Sequence, residues 1–291
     1  DEAQDLDQSQ VTFINAMLSL SQNAELFLVG DPDQAIYGFR KASPNFLLFP
    51  NRYFTGSVRT IVLNENHRSA REIVATAQAI LVGTAHPDAP CRSLRAVRPE
   101  AHPAIRELSS RSAEREALRI FQEIRTYMAV GIPLQEIAIL VRTRAQFAPL
   151  RAEAAKWNIP LRMPPVDDRG AGPRRGSAPP VIDVDETLAA VSLLTIHQSK
   201  GSGWLVVCLA GCQSGLMPHP AARNANEAEE ERRLLYVAVT RAKQLLWFSR
   251  YGERTDLLPP RVELTAAKAA SGLSVTSSSS LWSRFCRFFS H

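Results

Sequence analysis

The chain has 291 residues, of which 45% are hydrophobic and 22% are charged, and its formal net charge is +5. Such a length suggests two compact units of roughly 100–200 residues each, and the hydrophobic fraction is sufficient for a buried core. No run of about 18 apolar residues occurs, which argues against a membrane-spanning helix. The mild positive charge is compatible with a polyanionic partner, but it does not by itself indicate nucleic acid.

Of the four cysteines, only Cys208 and Cys212 are close to each other in the sequence. A structural zinc site would require two close pairs of Cys or His residues. Buried free thiols are therefore the preferred interpretation, and a cytoplasmic protein without disulfides is expected.

Short apolar runs that contain β-branched residues alternate with helical patterns, which predicts an α/β fold with a parallel sheet. The length and composition of the runs favour strands over buried helices. In chain order, the predicted elements are a helix over 11–20, strands Leu26–Val29 and Thr60–Leu63, a helix over 117–128, strands Ile137–Val141, Leu193–Ile196 and Leu205–Leu209, a helix over 229–243, and strand Leu245–Phe248.

Two stretches read as irregular. Residues 164–183 are rich in Pro, Gly and Arg, a composition typical of a linker. The chain from about Ser271 onwards is rich in serine and ends in an aromatic and basic segment. This tail is interpreted as a tether. For its aromatic and basic end, a packed terminal segment is preferred over a dedicated binding motif, although the tail is also the candidate contact for a protein partner.

Two polar groups of the first sixty residues could carry chemistry. Asp1 and Glu2 form an acidic pair, in which one carboxylate can hold Mg²⁺ while the other polarises an attacking water. An acidic pair alone could equally be a solvated surface. Further on, an apolar run leads into a Gly-Asp-Pro turn with Gln34, whose amide can contact a phosphate or a water. Phe39 and Arg40 offer a stacking face and a cation to a nucleobase strand, although a buried aromatic after a polar turn is equally compatible.

Three further groups follow apolar runs. Arg68 comes after the predicted strand Thr60–Leu63, where it can reach towards a phosphate. Thr195, His197 and Lys200 come together after another strand, and the following glycines allow a ligand close to the backbone. Arg241 lies near the end of a predicted amphipathic helix. Each group alone could be ordinary surface or core.

The five groups occur in a specific order. They read DEAQD at 1–5, GDPDQAIYGFR at 30–40, IVLNENHRS at 61–69, TIHQSKG at 195–201 and EERRLLYVAVTRAK at 230–243. In this order they resemble motifs II to VI of UvrD/Rep-type superfamily 1 DNA helicases, and the resemblance covers nearly the whole chain to about Phe248. It implies an α/β fold of two RecA-like P-loop NTPase lobes with parallel sheets, the first lobe truncated.

The resemblance implies ATP and Mg²⁺ as cofactors and single-stranded or partly duplex DNA as partner. It also implies a role for each matching position. Asp1 is expected to bind Mg²⁺, Glu2 to be the catalytic carboxylate and Gln34 to sense the γ-phosphate. Arg68 and Arg241 are expected to be arginine fingers, and the nucleotide contacts are expected to be His67, Lys200 and Gly201. The residues expected to line the DNA track are Tyr37, Phe39, Arg40, Thr195 and His197.

The resemblance also predicts the domain organisation. We expect the remainder of the first lobe at 1–60, the second lobe at 61–163 and 187–258, a linker at 164–186 in place of a regulatory subdomain, and a tail at 259–291.

The sequence departs from the family at three points. No G-x-x-x-x-G-K-[ST] phosphate loop occurs in the 291 residues; the family places it upstream of DEAQD, so we expect a piece of a longer protein that is inactive on its own. Ser202 and Gly203 replace a Leu-Glu pair whose Glu meets the ribose in the family. Lys41 stands where the family usually has glycine.

Two functions remain open at this stage. The first is an ATP-dependent 3′–5′ motor on single-stranded DNA, and the second is a non-catalytic nucleic-acid-binding or assembly module derived from one. A helicase-nuclease subunit is disfavoured, because the acidic residues after the last motif are few and dispersed.

Overall fold

The computed structural model describes residues 1–20, 24–82, 93–98, 104–164 and 189–260, so most of the predicted linker and tail lies outside the described residues. The helices are α1 Gln8–Ser19, α2 Asn45–Leu48, α3 Arg71–Ile80, α4 Ala113–Ala129, α5 Phe147–Lys156 and α6 Ala225–Thr240. The strands are β1 Glu65–Asn66, β2 Arg95–Ala96, β3 Ile105–Ser109, β4 Ile137–Val141, β5 Leu161–Arg162, β6 Val191–Thr195, β7 Trp204–Ala210 and β8 Ala242–Arg250.

Six of the strands form one sheet in the order β3-β8-β7-β4-β6-β5, and every neighbouring pair is parallel. The central strands β4 and β6 are buried along their whole length. Continuous apolar strands are expected where helices cover both faces of a parallel sheet. The prediction of an α/β fold with a parallel sheet is therefore confirmed.

Alternate residues of β4 show how the two faces are covered. Ala138 and Leu140 belong to a core that includes residues of α3 and α6. Ile137, Ile139 and Val141 belong to a second core that includes residues of α4 and α5. The side chains of a strand point alternately to opposite faces, so the sheet is the middle layer of a three-layer domain.

Helix α6 is the element that brings functional side chains to the edge of this domain. Asn224 begins it with a capping box, in which its side chain accepts from the backbone N–H of Glu227 at 3.0 Å. The helix ends at Thr240 and β8 begins at Ala242, so the predicted helical limit at Lys243 is wrong. Pairing of β8 with β7 extends to Ala242 and takes these last residues into the sheet.

The first sixty residues differ from the prediction. Helices α1 and α2 form, together with short 3₁₀ turns, but neither Leu26–Val29 nor Thr60–Leu63 is a strand. The segment Leu26–Val29 has one backbone hydrogen bond to a distant segment, in which the N–H of Ala3 donates to the oxygen of Val29. A strand requires a continuous ladder with a neighbour, and the described part of 1–60 provides none. The expectation of a parallel sheet in the first lobe is therefore wrong for these residues.

A small parallel sheet forms just after the second of these segments, where β1 pairs with β2. Residues 1–60 have a small core of their own, built on Val11, Phe46 and Phe54, and Ile36 is buried in the sheet-domain core that includes α3 and α6. Within the described ranges, no helix combines the length and the apolar character needed to cross a membrane.

Candidate nucleotide and nucleic-acid site

The candidate site lies where residues 1–41 meet the sheet domain. The sheet domain contributes the loop 196–203 between β6 and β7 and the junction of α6 with β8. Residues 1–41 contribute the acidic segment 1–5 and the turn around Gln34. Hydrogen bonds between the two parts involve Asp5, Asp31 and Gln34, and further along the contact Tyr37 and Gly38.

Arg241 is the most deeply buried charged group of this contact, with only 2% of the residue exposed. Its Nη2 donates to Gln34 Oε1 at 3.0 Å, and its Nη1 and Nε donate to the backbone oxygens of Ser202 and Val237, each at 3.0 Å. Burial, with a further contribution from the charge of Arg68, lowers the pKa of Arg241 to about 10. The guanidinium therefore remains charged at neutral pH.

The amide of Gln34 is held in one orientation by a second pair of contacts. Its Nε2 donates to Asp31 Oδ2 at 2.9 Å, and the hydroxyl of Tyr236 on α6 donates to the same oxygen at 3.1 Å. Because the amide nitrogen is engaged by Asp31, its oxygen faces Arg241. Sequence reasoning missed both Asp31 and Tyr236, although Asp31 carries a local signal as the N-cap of the turn that contains Gln34.

The acidic pair lies at the start of the same contact. Glu2 has a left-handed backbone, with φ 55° and ψ 37°, a conformation that is unfavourable for a residue with a side chain and is often found at functional sites. Its carboxylate is 3.6 Å from Lys200 Nζ and raises the pKa of Arg241, partly opposing the effect of burial. Asp1 Oδ1 accepts from the backbone N–H of Glu2 at 2.9 Å.

The carboxylates of Asp1 and Glu2 have the donor chemistry for the Mg²⁺ that the family resemblance implies. Within the described residues, no group of three or more His, Cys, Asp or Glu side chains is placed to hold a metal ion. Mg²⁺ is commonly held by one or two carboxylates together with substrate phosphates. The acidic pair therefore fits a metal shared with a phosphate ligand.

Lys200 connects the sheet domain to the acidic segment. Its Nζ donates to Asp5 Oδ2 at 2.6 Å and to the backbone oxygen of Gln34 at 2.9 Å. The next residue, Gly201, has a φ of +84° and open space around it, so the conformation of the chain and not crowding favours glycine here. The nucleotide contact expected for Lys200 and Gly201 stays a prediction.

Arg68 and His67 lie at the outer edge of the site. The segment is tied to β8, because Ser69 Oγ donates to the oxygen of Ala242 at 2.8 Å and the N–H of Ala70 donates to the oxygen of Lys243 at 2.9 Å. Both anchors are next to Arg241 in sequence, and the charge of Arg68 acts on that guanidinium. His67 is largely exposed, and its Nε2 is 3.3 Å from Glu65 Oε2.

Three rings cluster a short distance along the contact. The Phe39 ring is 5.9 Å from that of Tyr37 and 6.0 Å from that of His197 between centroids, and 60% of Phe39 is exposed. The guanidinium of Arg40 lies 5.1 Å from the Tyr37 ring. Burial, followed by the charge of Arg142, lowers the pKa of His197 to about 4, so this ring is neutral at pH 7. An exposed ring beside a cation is suited to stacking a base and holding its phosphate.

Other contacts hold this cluster in place. The carboxylate of Glu230 on α6 accepts from the backbone N–H of Gly38, and a side chain at position 38 would come within 2.6 Å of Glu230 Oε2. The adjacent Glu231 forms a buried ion pair with Arg142.

The hydroxyl of Thr195 donates to Gln198 Oε1 at 2.9 Å and is mostly buried. Lys41, which replaces the usual glycine, has a left-handed φ of 64°.

The structure thus brings together Glu2, Gln34, Lys200 and Arg241, with Arg68 nearby. It brings Tyr37, Phe39, Arg40 and His197 together in a second cluster. The side chains of Thr195 and His67 contact Gln198 and Glu65, which belong to neither group. Asp5, Asp31 and Tyr236 are contributors that sequence reasoning did not identify.

The sheet domain is an all-parallel α/β domain whose buried arginine meets an amide from a separate segment. Open α/β sheets of this kind bind their ligands outside the carboxyl ends of the strands. The comparisons identify the family. The UvrD-like helicase C-terminal domain matches residues 61–166 and 182–253, and the UvrD/REP helicase N-terminal domain matches residues 1–54. The chain belongs to the UvrD-like helicase family.

Similar proteins have DNA helicase names. The chain is 27% identical over 252 residues to a "Probable DNA helicase" of Mycoplasma pneumoniae, with 85% of this chain and 42% of that protein covered. It is 27% identical over 329 residues to "ATP-dependent DNA helicase UvrD2" of Mycobacterium bovis, with 84% and 45% covered. It is 31% identical over 164 residues to "ATP-dependent DNA helicase PcrA" of Staphylococcus aureus, with 56% and 22% covered. The chain therefore spans less than half the length of these relatives.

Among solved structures, a C-terminal domain of a possible DNA helicase from Lactobacillus plantarum superposes with a TM-score of 0.45 at 16% identity. The superposition covers 66% of this chain and 91% of that domain.

Proposed function

We propose that this chain is part of an ATP-dependent 3′–5′ DNA helicase or translocase that couples ATP hydrolysis to movement on single-stranded DNA in replication, repair or recombination. The observation that carries the proposal is the contact of Arg241 with Gln34 at 3.0 Å. This hydrogen bond joins an amide of residues 1–41 to a buried guanidinium of the sheet domain. The charge of the Glu2 carboxylate raises the pKa of the same guanidinium.

The proposed chemistry at this wall is phosphoryl transfer to water. Glu2 would accept a proton from the attacking water, and Gln34 would report the presence of the terminal phosphate to both parts of the chain. Arg241 and Arg68 would stabilise the negative charge that develops on the phosphoryl oxygens. An arginine in that position can accelerate turnover by roughly 10³–10⁵. Mg²⁺, held through Asp1, would neutralise phosphate charge.

The proposed DNA track is the ring cluster of Tyr37, Phe39 and His197 with Arg40. Stacking of a base on an aromatic side chain is worth about 1–3 kcal/mol and tolerates any base. The neutral His197 would add a flat surface without a charge, and Arg40 would supply the phosphate contact. Thr195 remains a candidate for the same track.

The DNA part of the proposal can be tested with the 291-residue chain by fluorescence anisotropy of a labelled oligo-dT. We expect binding that weakens as salt is raised. Phe39→Ala should weaken it by about 5- to 150-fold, because one stacked base is lost. Phe13→Ala is the matched control, since Phe13 is an exposed phenylalanine on α1 outside the ring cluster. Equal affinities for wild type and Phe39→Ala would refute the track.

The nucleotide part is tested by adding a fluorescent ATP analogue with Mg²⁺ and by measuring DNA-stimulated phosphate release. The 291 residues contain no G-x-x-x-x-G-K-[ST] sequence, and this loop normally cradles the β- and γ-phosphates. We therefore expect no measurable turnover by this chain alone. Robust turnover would show that another segment cradles the phosphates.

The second candidate function is a nucleic-acid-binding or assembly module without catalysis. It is favoured by Gly203, which provides no carboxylate at the position where the family contacts the ribose. A module predicts that oligo-dT binding is the same with and without Mg²⁺ and nucleotide. A change of DNA affinity on addition of Mg²⁺ and nucleotide would favour the motor.

A further inference from the structure

Lys200 lies at the meeting point of three elements. Its ammonium contacts both carboxylate oxygens of Asp5, at 2.7 and 2.6 Å, and the backbone oxygen of Gln34 at 2.9 Å. The same nitrogen is 4.9 Å from the centre of the Tyr37 ring. The acidic segment, the Gln34 turn and the ring cluster are thus all in contact with one side chain of the sheet domain.

This contact is unlike an ordinary surface ion pair. Only 6% of the Lys200 side chain is exposed, and an exposed pair would contribute little. Burial is the largest influence on Asp5 and raises its pKa, although Lys200 acts in the opposite direction. A buried ammonium must be compensated by partners with good geometry. Here both carboxylate oxygens of Asp5, the Gln34 carbonyl and the face of Tyr37 surround it, and the Glu2 carboxylate lies 3.6 Å away.

The rings continue outwards from this point. The hydroxyl of Tyr37 donates to the backbone oxygen of His197 at 3.4 Å, and the ring of Tyr37 makes an edge contact with Phe39. A shift of the Tyr37 ring would therefore change the position of the exposed stacking face. Because the ammonium is buried against this ring, it has no free path to a DNA phosphate.

We propose that Lys200 is a positioning residue that couples the acidic segment 1–5 to the DNA-facing rings by holding Asp5, the Gln34 carbonyl and Tyr37 in one arrangement. This proposal rests on the proposed function of the ring cluster as a DNA track. Lysine suits the position because a compact ammonium can serve several close acceptors. The arrangement makes the affinity for single-stranded DNA depend on a carboxylate that does not touch the DNA.

The experiment compares Lys200→Met and Asp5→Asn with wild type, using oligo-dT anisotropy over a salt series. Lys200→Met should weaken binding by about fivefold or more, the lower range of coupling between sites. Asp5→Asn should also weaken oligo-dT binding, although it removes the negative charge of Asp5 and leaves the positive charge of Lys200. Hydrogen exchange of the amides of residues 34–40 should accelerate in both variants. Lys156→Met is the matched control, because Lys156 forms an ion pair with Glu153 on α5, away from this contact.

Direct contact of Lys200 with DNA makes opposite predictions. It requires Asp5→Asn to bind as tightly as wild type or more tightly. It also requires Lys200→Met to reduce the slope of log K against log salt by about 0.7, the value for one phosphate contact with a single strand. Either result would overturn the proposal, whereas an unchanged slope with weaker binding in both variants would support it.

The controls separate this proposal from the proposed function. If Phe39→Ala weakens binding while Lys200→Met and Asp5→Asn do not, the DNA track stands and the positioning role fails. If wild type binds no oligo-dT, the track fails, and hydrogen exchange of residues 34–40 still decides whether Lys200 orders that segment. Unchanged exchange in both variants contradicts the ordering.

Discussion

The sheet domain and the first sixty residues are built in different ways. The sheet domain has two cores, one on each face of six parallel strands. Residues 1–60 have a small cluster around Val11, Phe46 and Phe54, while large side chains such as Phe27, which is 84% exposed, face solvent. Yet the candidate catalytic groups come from both regions. The comparison teaches that some of the candidate catalytic groups lie in a region with a small core of its own, whose position depends on contacts with the sheet domain.

The largest expected effect distinguishes a core of the sheet domain from the small cluster in residues 1–60. Phe121 is completely buried between α4 and the sheet, so Phe121→Ala should lower the free energy of unfolding by about 3–5 kcal/mol. Phe46→Ala should leave the main urea transition nearly unchanged, because its core is small and separate. Unfolding would be followed by far-UV circular dichroism. Equal shifts of the main transition in both variants would show that the two regions unfold as one unit.

The second effect concerns the contact between the two regions. Arg241→Met retains an unbranched side chain but removes the donor to Gln34 Oε1 and to the oxygens of Ser202 and Val237. The Val237 oxygen still accepts from the hydroxyl of Thr240 at 3.0 Å. We expect a loss of about 1–3 kcal/mol in the free energy of unfolding. Arg151→Met, at an exposed position of α5, is the matched control. Equal stability of the two variants would mean that the guanidinium contributes nothing to the contact.

The third effect, which is the smallest when it is expressed per pH unit, is a pH dependence from His197. Burial and the charges of Arg142 and Arg40 lower its folded pKa to about 4, while Glu231 opposes them. The unfolded chain takes up this proton near pH 6.5 and the folded chain does not, so stability should fall as pH drops from 6.5 towards 4. The slope from one such group is at most about 1.4 kcal/mol per pH unit.

His197→Gln should flatten this slope when urea unfolding is measured between pH 7 and pH 4.5. His67→Gln serves as the control for replacing a histidine outside the ring cluster, because that side chain is largely exposed. A wild-type slope in His197→Gln would indicate that the ring is protonated in the folded protein.

The parts of the fold that could be predicted are those fixed by local composition. The runs at 137–141 and 205–209 are apolar throughout because helices cover both faces of the sheet, and they form β4 and β7 within a residue or so. Leu26–Val29 has the same character in sequence, but a strand also needs a neighbouring strand, and the sequence of one segment does not reveal whether that neighbour is present.

The candidate site could be predicted only where the motifs name its residues. The resemblance implied a γ-phosphate sensor at Gln34 and an arginine finger at Arg241. The two side chains meet in the structure, but the catalytic and nucleotide roles remain predictions. Asp31 and Tyr236 are separated by 205 positions, and Asp5 and Lys200 by 195. Local periodicity and propensity cannot predict contacts between residues so far apart in sequence, because these contacts depend on how the complete fold brings distant segments together.

Helix α6 carries a further consequence. Glu230, beside Gly38, and Arg241, beside Gln34, are separated by about 16 Å of continuous helix at 1.5 Å per residue, and Arg241 is followed directly by the first residue of β8. With no loop to absorb a displacement, a rotation or slide of this rod moves both of its ends together. The spacing between the contact with Gly38 and the contact with Gln34 is therefore set by a count of residues, and one inserted residue would turn the two ends about 100° out of phase.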